Sequence, residues 1–271
     1  MKVLYVAGLW HSGSTILANV LGELDGFFAA GELFYLREAW ERGYPCGCGK
    51  PVPECELWSR VPVEGLRTDH AWRRVRSLPR LRLSSEAVAE HRRAFRDVVR
   101  ALDGRVVVDS SKFVPYGQVV AGTPEVELYV VHLVRDPRAN GYSWTRIPGY
   151  RVGPVGFGLA WNACHLAAEA LWVRRPDRYL RVRYEDFVAR PSETVLDIAA
   201  FVGEPAEELP FESSDTVRLH ANHQVQGNPS RFRTGAVRLA LDTRWETGLS
   251  RRWKLALEAS TWPLRRRYGY R

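Results

Sequence analysis

The sequence predicts an α/β fold in which a single doubly wound parallel sheet of about five strands, P-loop-like, is flanked by helices. Short apolar runs alternate with stretches of helical periodicity along the chain. Two of these runs, 105–109 and 126–134, are apolar at nearly every position, as in parallel strands that are covered on both faces. A loop with regularly spaced glycines follows the first apolar run of the chain, residues 2–7. We therefore expect one domain over residues 1–271.

Strand-forming runs, helical spacing and breakers give the elements in chain order. Apolar residues between Ile16 and Leu24 recur at the spacing of a buried helix face. Ser84 or Ser85 is the expected N-cap of a later helix that stops at Gly104. The predicted strands are 2–7, 27–31, 105–109, 126–134 and 178–184. The predicted helices are 16–24, 32–42, 84–103, one that follows Pro137, 157–175, 191–203 and two stretches near 250–268.

Two segments lack a regular pattern. Residues 43–82 are rich in Pro, Gly, Cys and Arg, and we expect an irregular insertion within the single domain. Long irregular insertions near a site often shape its pocket, and we expect this one to do so. Residues 205–249 are polar, and they are predicted to be loop-like.

Composition and charge narrow the class of protein. With 45% apolar and 26% charged residues, the chain has ordinary globular composition, which excludes a disordered or collagen-like protein. No apolar run approaches about 18 residues, and the apolar start lacks a cleavage site, so we expect no membrane span and a cytoplasmic protein. The net charge of +8 favours an anionic ligand. A basic nucleic-acid-binding protein is an alternative, but the arginines are spread along the chain, so we expect no nucleic acid partner.

The loop after the first predicted strand has the features of an anion site. Gly8 and Gly13 have the G-x-x-x-x-G spacing of a phosphate loop between a strand and a helix. Glycine permits close backbone approach, the N–H groups point inward, and the helix start adds partial positive charge. Thr15 adds a hydroxyl donor, whereas Ser14 stands where a nucleotide triphosphatase has lysine. A plain strand-to-helix turn is the alternative interpretation.

A second candidate anion site follows the run 126–134. Arg135 lies at the carboxyl end of this run, where α/β sheets present ligands, and Pro137 suits the first turn of a helix. Ser143 comes eight residues after Arg135, so that a guanidinium and a hydroxyl can share one phosphate. By itself, an Arg-Asp-Pro sequence at a strand end is also typical of a structural salt bridge.

The pair of segments HSGST and VRDPRANGYS resembles the PAPS-dependent sulfotransferases, in which PAPS is 3′-phosphoadenosine 5′-phosphosulfate. The motifs are closest to those of bacterial relatives of the carbohydrate and tyrosylprotein sulfotransferases. Three further segments are similar to the family and occur in the family's order, namely 107–113, 181–191 and 227–250. The resemblance touches nearly the whole chain except the insertion.

The resemblance implies roles for residues in both anion sites. The first loop would hold the 5′-phosphosulfate through Ser12, Gly13, Ser14 and Thr15. The 3′-phosphate would be held by Arg135 and Ser143, with Arg231, Arg233 and Gly235 closing over it. The product would be 3′,5′-ADP, and no metal would be required.

Sulfuryl transfer to a hydroxyl is an in-line displacement that needs a base on the acceptor and cations at the leaving phosphate oxygen. Glu32 follows the second strand and resembles the Gly-Glu carboxylate of the tyrosylprotein branch, so it is the candidate base. A capping carboxylate at the start of a helix is the alternative. His11 is a second candidate base, by analogy to the histidine of the cytosolic branch. It stands where the nearest relatives usually carry Arg or Lys, and its charge depends on pH.

Three further kinds of side chain complete the candidate site. Lys112 follows a strand end and is the candidate cation for the leaving group, with a solvated surface lysine as the alternative. Asp109 has the place of a Walker B aspartate, and we interpret it as positioning Ser14, Lys112 or a backbone amide. His220 and His223 lie either at the lip of the cofactor site or on the surface.

The insertion carries three of the four cysteines, Cys46, Cys48 and Cys55. A closed zinc site needs four ligands, Cys164 is distant, and no histidine lies closer along the chain than His70. A zinc site, a disulfide and an unligated packed loop all stay open, and the prediction for the functional site includes no metal ligand.

The sequence therefore predicts a sulfotransferase that moves a sulfuryl group from PAPS to a hydroxyl of a small molecule or glycan, with Glu32 as base. A P-loop small-molecule kinase is the alternative enzyme, against which stands Ser14 in place of lysine.

Overall fold

The computed structural model describes residues 1–66, 85–102, 104 and 106–271. Within these residues, five parallel strands form the main sheet. The strands are β1 (Lys2–Gly8), β2 (Phe27–Gly31), β3 (Val106–Lys112), β4 (Glu127–Val134) and β5 (Tyr179–Arg183). Their order in the sheet is β2-β3-β1-β4-β5. The prediction of an α/β fold with a parallel sheet of about five strands is confirmed.

The helices lie on both faces of the sheet, as the alternating pattern predicts. They are α1 (Ser14–Leu21), α2 (Leu36–Glu41), α3 (Ser85–Ala101), α4 (Val114–Val120), α5 (Pro137–Thr145), α6 (Pro154–Trp172), α7 (Tyr184–Ala189), α8 (Pro191–Phe201), α9 (Trp245–Gly248) and α10 (Arg251–Arg267). None of the helices in the described part of the chain is long and apolar enough to cross a membrane.

The central strand β1 shows why the sheet needs helices on both sides. Val3 and Tyr5 belong to a core with residues of α2, α3, α4 and α6, whereas Leu4 and Val6 belong to a core with residues of α1, α7 and α8. Side chains alternate between the faces of a strand, so a run that is apolar throughout fills both cores.

The strand order creates the crevice that positions the functional site. The chain leaves β1 toward β2 and β3 on one side and places β4 and β5 on the other side. In open α/β sheets, ligands bind outside the carboxyl ends of the strands at such a reversal of order. The loops that follow β1, β2, β3 and β4 therefore meet at one edge.

Several element predictions were wrong. Residues 205–249 contain an antiparallel hairpin of β6 (Thr216–Leu219) and β7 (Gly235–Arg238), whose Val217 and Leu219 are buried in the core with α1 and α8. Its strands are too short to raise the apolar content of a polar segment. The two stretches near 250–268 form one helix, α10, because Pro263 is accommodated inside it. Helix α4 was not predicted.

The ends of two predicted segments lie outside the described residues. For the helix over 84–103, α3 covers 85–101, and positions 84 and 103 are not described. For the insertion over 43–82, the structure describes 43–66, which contains two short 3₁₀ turns, Val52–Glu54 and Trp58–Arg60.

Candidate active site

A cleft of about 740 Å³ lies at the carboxyl edge of the sheet. Its walls come from the loop after β1, the ends of β2, β3 and β4, helix α5 and the late segments 226–230 and 237–240. Of the predicted site residues, His11, Gly13, Ser14, Thr15, Glu32, Lys112, Arg135, Ser143 and Arg233 line this cleft. One cleft thus contains both candidate anion sites, the candidate base and the candidate cation.

The loop after β1 adopts a conformation that requires glycine at one position. Gly13 has a φ of 92° and immediately precedes α1. A Cβ atom at Gly13 would lie 2.3 Å from the ring of Tyr184, so that a side chain there would displace the ring. The turn brings the first N–H groups of α1 to the cleft, where they and the helix dipole favour an anion.

The hydroxyl residues of this loop differ in their surroundings. Ser14 and Thr15 line the cleft, and Thr15 Oγ1 accepts a hydrogen bond of 3.1 Å from the backbone N–H of Asn228. This bond leaves the Thr15 hydroxyl proton available to a ligand. Ser12, in the same loop, is buried and does not line the cleft. Its Oγ has no hydrogen-bond partner among the described residues.

Arg135 and Ser143 lie together at the second candidate anion site. Arg135 Nη1 is 3.5 Å from Ser143 Oγ and donates a 2.8 Å hydrogen bond to the carbonyl of His11. The guanidinium also lies over the ring of Tyr184, 4.9 Å from its centre. Arg135 Nε is buried and has no partner within the described part of the chain. Arg135 therefore contacts the first loop while it keeps donor capacity for a ligand.

Glu32 and Lys112 form a buried ion pair beside the first loop. Lys112 Nζ lies 2.7 Å from Glu32 Oε1 and donates a second bond of 2.8 Å to the carbonyl of Ser110. Lys112 ends β3 with a φ of 68°, and Glu32 follows β2 directly. The Glu32 side chain makes no capping hydrogen bond to the 3₁₀ turn that it precedes, Leu33–Tyr35. The capping role considered for Glu32 is therefore wrong, and so is the solvated surface role considered for Lys112.

Asp109 lies behind this pair and is fully buried. Its Oδ1 accepts hydrogen bonds from the backbone N–H and the hydroxyl of Ser111, and the Ser111 hydroxyl accepts one of 3.0 Å from the N–H of Phe34. Burial raises the pKa of Asp109 to about 7, although its hydrogen bonds to Ser111 act in the opposite direction. Of the interpretations of Asp109, the structure supports the contact with a backbone amide.

The His11 ring faces the edge of Trp144, with 5.5 Å between ring centres. Burial lowers the pKa of His11 below its ordinary value, and the nearby Lys112 and Arg135 lower it further. His11 is therefore neutral at pH 7 and can donate one N–H. It has a φ of 65°, an uncommon conformation for a residue other than glycine.

Residues 205–249, called the late segment from here on, place only some of their predicted site residues at the cleft. Arg233 lines the cleft, whereas Gly235 begins β7 and does not line it. Arg231 lies behind the wall, where its guanidinium donates hydrogen bonds to the carbonyls of Gly227 (3.0 Å) and Pro45 (3.3 Å).

Sequence reasoning missed several residues that build the cleft. Tyr184 supports both Gly13 and Arg135, and it is the tyrosine of the RVRYEDF segment. Asn228 contacts Thr15, as described above. Tyr35 and Gln226 line the cleft and also a smaller adjoining cavity of about 350 Å³. Only Tyr184 had a signal in the sequence, namely its place at the end of a predicted strand.

His220 and His223 do not line the cleft. The backbone N–H of His220 donates a 2.8 Å hydrogen bond to Glu23 Oε1, and His220 Nδ1 lies 2.7 Å from Glu23 Oε2. The Nδ1 atom of His223 lies 3.2 Å from Cys55 Sγ and 3.8 Å from Cys46 Sγ. One ligand atom from each of Cys46, Cys48, Cys55 and His223 lies within 4.8 Å of all the others. The structure thus adds a fourth potential ligand, His223, to the three cysteines, from a position far along the chain.

Comparisons with known proteins agree with this fold. Residues 127–208 match the profile of a family described as the sulfotransferase family. The sulfotransferase domain of the olefin synthase of Synechococcus PCC 7002 is 21% identical with a TM-score of 0.63, over 100% of this chain and 95% of that chain. The sulfotransferase domain from the curacin biosynthetic pathway is 16% identical with a TM-score of 0.59, over 99% of this chain and 97% of that chain. No curated protein sequence matches.

Proposed function

We propose that this chain is a sulfotransferase that transfers a sulfuryl group from PAPS to a hydroxyl of a small molecule or glycan. The match of residues 127–208 to the sulfotransferase family profile and the fold shared with solved sulfotransferase domains support this proposal. The observation that carries the proposal is that one cleft brings together the residues of both candidate anion sites and a buried Glu32–Lys112 pair. Two separate anion sites match a donor that carries a phosphosulfate at one end and an isolated phosphate at the other.

The unsatisfied donors of the cleft fit this ligand. Arg135 Nε is buried without a partner among the described residues, and burying such a donor costs about 1–3 kcal/mol unless a ligand accepts from it. A 3′-phosphate between Arg135 and Ser143 supplies the acceptor oxygens. The loop amides at the start of α1, with Ser14 and Thr15, bind the 5′-phosphosulfate.

The reaction is an in-line displacement at sulfur. The acceptor oxygen forms a new S–O bond, and the S–O bond to the 5′-phosphate breaks with its electron pair. Glu32 takes the proton of the acceptor hydroxyl, and Lys112 donates a hydrogen bond to the leaving phosphate oxygen. Proton transfer to a positioned base contributes about 10²- to 10⁴-fold to the rate.

The ion pair gives Lys112 and Glu32 a resting state that differs from their catalytic state. In the structure the Lys112 ammonium bonds Glu32 and the carbonyl of Ser110. While Lys112 bonds Glu32 Oε1, that oxygen is not free to accept the proton of the acceptor hydroxyl. We infer that the bridging oxygen of the donor draws Lys112 away, which frees Glu32 for the acceptor proton.

His11 supports the leaving group as a neutral donor. Burial, Lys112 and Arg135 all lower the pKa of His11 in the free protein, which favours its neutral form at pH 7. It can therefore hydrogen-bond the leaving oxygen but cannot supply the cation that Arg or Lys would supply at this position. That function falls to Lys112.

The acceptor enters beside Glu32 on the side of the insertion. The smaller cavity of about 350 Å³ is lined by Tyr35, Glu38, Tyr44, Pro45 and Gln226, and it shares Tyr35 and Gln226 with the main cleft. Tyr44 and Pro45 belong to the insertion, which in this way shapes the acceptor pocket. A cavity of this size suits a small molecule or one end of a glycan.

Ligand-induced stabilisation tests the donor first. The melting temperature is measured with 3′,5′-ADP, 5′-AMP and Mg-ATP at one concentration. A ligand at about 100 times its Kd stabilises the native state by about 2.7 kcal/mol, which raises the melting temperature by several degrees. We expect 3′,5′-ADP to give the largest shift and Mg-ATP to give none. A shift with Mg-ATP alone would favour a kinase and overturn the proposal.

Transfer itself is tested with PAPS that carries radiolabelled sulfur and a panel of phenols, aliphatic alcohols and sugars. Label must appear in an acceptor in step with the release of 3′,5′-ADP. Binding of 3′,5′-ADP without transfer to any hydroxyl on the panel would contradict the proposed acceptor class.

A further inference from the structure

We propose that Cys46, Cys48, Cys55 and His223 bind one zinc ion, which joins the insertion to the late segment behind the acceptor side of the cleft. The four side chains come from two parts of the chain, with three cysteines in the insertion and the histidine before Val225. The proposal depends on this cluster and not on the reaction that the cleft performs.

Three distances within the cluster are close to those of a tetrahedral ligand set. With Zn–S near 2.3 Å and Zn–N near 2.05 Å, tetrahedral angles put sulfurs about 3.8 Å apart and sulfur and nitrogen about 3.6 Å apart. Cys48 Sγ lies 3.7 Å from Cys55 Sγ, and His223 Nδ1 lies 3.8 Å from Cys46 Sγ and 3.2 Å from Cys55 Sγ. All four ligand atoms lie within 4.8 Å of one another, so side-chain shifts of at most about 1 Å bring them around one ion.

The backbone around the cysteines holds this arrangement. The N–H of Cys46 donates to the carbonyl of Lys50, and the N–H of Gly49 donates to the carbonyl of Cys46, which makes a tight turn that carries Cys46 and Cys48 on one side. At Gly47 a Cβ atom would lie 2.1 Å from Asn222 Oδ1. The close packing of this turn on the late segment therefore depends on glycine.

The histidine is held as firmly as the cysteines. The indole N–H of Trp58 donates a 2.7 Å hydrogen bond to the backbone carbonyl of His223. The next residue, Gln224, accepts a 2.9 Å bond at its carbonyl from the N–H of Gly47. The insertion thus holds the backbone carbonyls of His223 and Gln224, which fixes the position of the His223 backbone beside the thiols.

The ligand set selects zinc and a structural role. Three thiols and one imidazole are soft and borderline donors in a tetrahedral array, which suits Zn²⁺ rather than Mg²⁺ or Ca²⁺. Cys46 and Cys55 are buried, and the four protein ligands leave no open coordination position for water or substrate. Such closed sites stabilise the fold, whereas catalytic zinc sites keep one position open.

The backbone that follows His223 contacts the candidate base Glu32. Val225 comes two residues after His223, and its carbonyl accepts a 2.7 Å hydrogen bond from the N–H of Glu32. Gln226, the following residue, lines both cavities. A zinc ion bound to His223 therefore holds the backbone over residues 223–226, which contacts Glu32 and lines the proposed acceptor cavity.

The metal content of the purified full-length chain tests the proposal. We expect one zinc per chain by elemental analysis after dialysis. Cys48→Ser and His223→Gln should each reduce the content severalfold, whereas Cys164→Ser should retain it, because Cys164 lies outside the cluster. Zinc contents that are equal in the wild type, Cys48→Ser and His223→Gln would place the metal elsewhere and overturn the proposal.

Cobalt substitution separates the loss of a metal ligand from a loss of metal that is caused by poor folding. The wild-type protein, loaded with Co²⁺, should show the strong visible bands of a tetrahedral site and a thiolate charge-transfer band in the near ultraviolet. Cys48→Ser, which removes one of three thiolates, should weaken the charge-transfer band while its 3′,5′-ADP affinity reports an intact donor site. No metal uptake by a chain that binds 3′,5′-ADP, or mass-spectrometric detection of a disulfide within the cluster, would overturn the zinc site and leave the proposed function standing.

Discussion

The ammonium of Lys112 and the carboxylate of Glu32 form a 2.7 Å ion pair whose side chains are only 3% and 7% exposed. Each charge is removed from water, and a buried charge without a partner costs several kcal/mol. The pair therefore allows the free enzyme to keep two charged groups in a dry site. In the proposed reaction, the position of the pair beside the first loop lets Lys112 contact the donor and Glu32 contact the acceptor.

Glu32→Gln should lower kcat by about 10²- to 10⁴-fold, which is the usual contribution of a positioned base. The amide keeps the shape of the side chain and an oxygen that accepts from Lys112, so the affinity for 3′,5′-ADP should stay near that of the wild type. Steady-state kinetics and titration calorimetry measure the two quantities. Glu41→Gln, on the exposed end of α2, is the matched control and should leave both unchanged. A near-normal kcat in Glu32→Gln would remove Glu32 as the base.

The ion pair itself predicts strong coupling in stability. Lys112→Met should lower the free energy of unfolding by about 3–5 kcal/mol, because it leaves the Glu32 carboxylate buried without its cation. The double variant Glu32→Gln/Lys112→Met should lose less than the sum of the two single variants, with a coupling energy of about 0.5–3 kcal/mol. Urea unfolding of the four proteins in the cycle measures this energy. Strictly additive losses would mean that the two charges do not stabilise each other.

Most of the main sheet could be predicted from the sequence, because its strands carry nearly continuous apolar runs. The apolar residues of β3 and of β4 each contribute to both cores, as a strand covered on both faces requires. The hairpin of β6 and β7 could not be found in this way. Each of its strands has only four residues, and Val217 and Leu219 alternate with polar neighbours in a segment that is polar overall.

In the candidate site, too, features that depend on local sequence could be predicted, and features that depend on distant contacts could not. The meeting of Arg135, Ser143 and the first loop in one cleft could be predicted because each motif is local and occurs at a strand end. The contact between Cys55 and His223 joins residues 168 positions apart, and no local pattern reports such a distance. Arg231 stayed ambiguous for a related reason, since the direction of its side chain depends on how the late segment folds over Gly227 and Pro45.

The second anion site predicts a preference for the 3′-phosphate. Arg135→Ala should weaken 3′,5′-ADP binding by about 10- to 100-fold, since hydrogen bonds to charged groups contribute about 1.5–3 kcal/mol. The affinity for 5′-AMP should fall much less. Because Arg135 also bonds the carbonyl of His11, Ser143→Ala is the cleaner variant, and we expect it to lose up to about 10-fold for 3′,5′-ADP alone.

Isothermal titration of both nucleotides against each variant measures this preference. Thr145→Ala is the matched control for Ser143→Ala, because it removes an exposed hydroxyl from the same helix. Equal losses for 3′,5′-ADP and 5′-AMP in Ser143→Ala would contradict the assignment of the 3′-phosphate to this site.

Asp109 predicts a pH dependence of stability with a definite sign. Burial raises its pKa from 3.8 to about 7, so between these values the native state keeps a proton that the unfolded state releases. The contribution of Asp109 to stability is therefore complete below about pH 4 and is lost as the pH rises toward 7. Asp109→Asn cannot titrate at this position. As the pH rises across this range, the free energy of unfolding of the wild type should therefore fall relative to that of the variant, by at most about 1.4 kcal/mol per pH unit. Urea unfolding of both proteins at several pH values measures the difference, in which other titrating groups cancel. A difference that stays constant from pH 4 to 7 would mean that Asp109 ionises as it does in the unfolded chain.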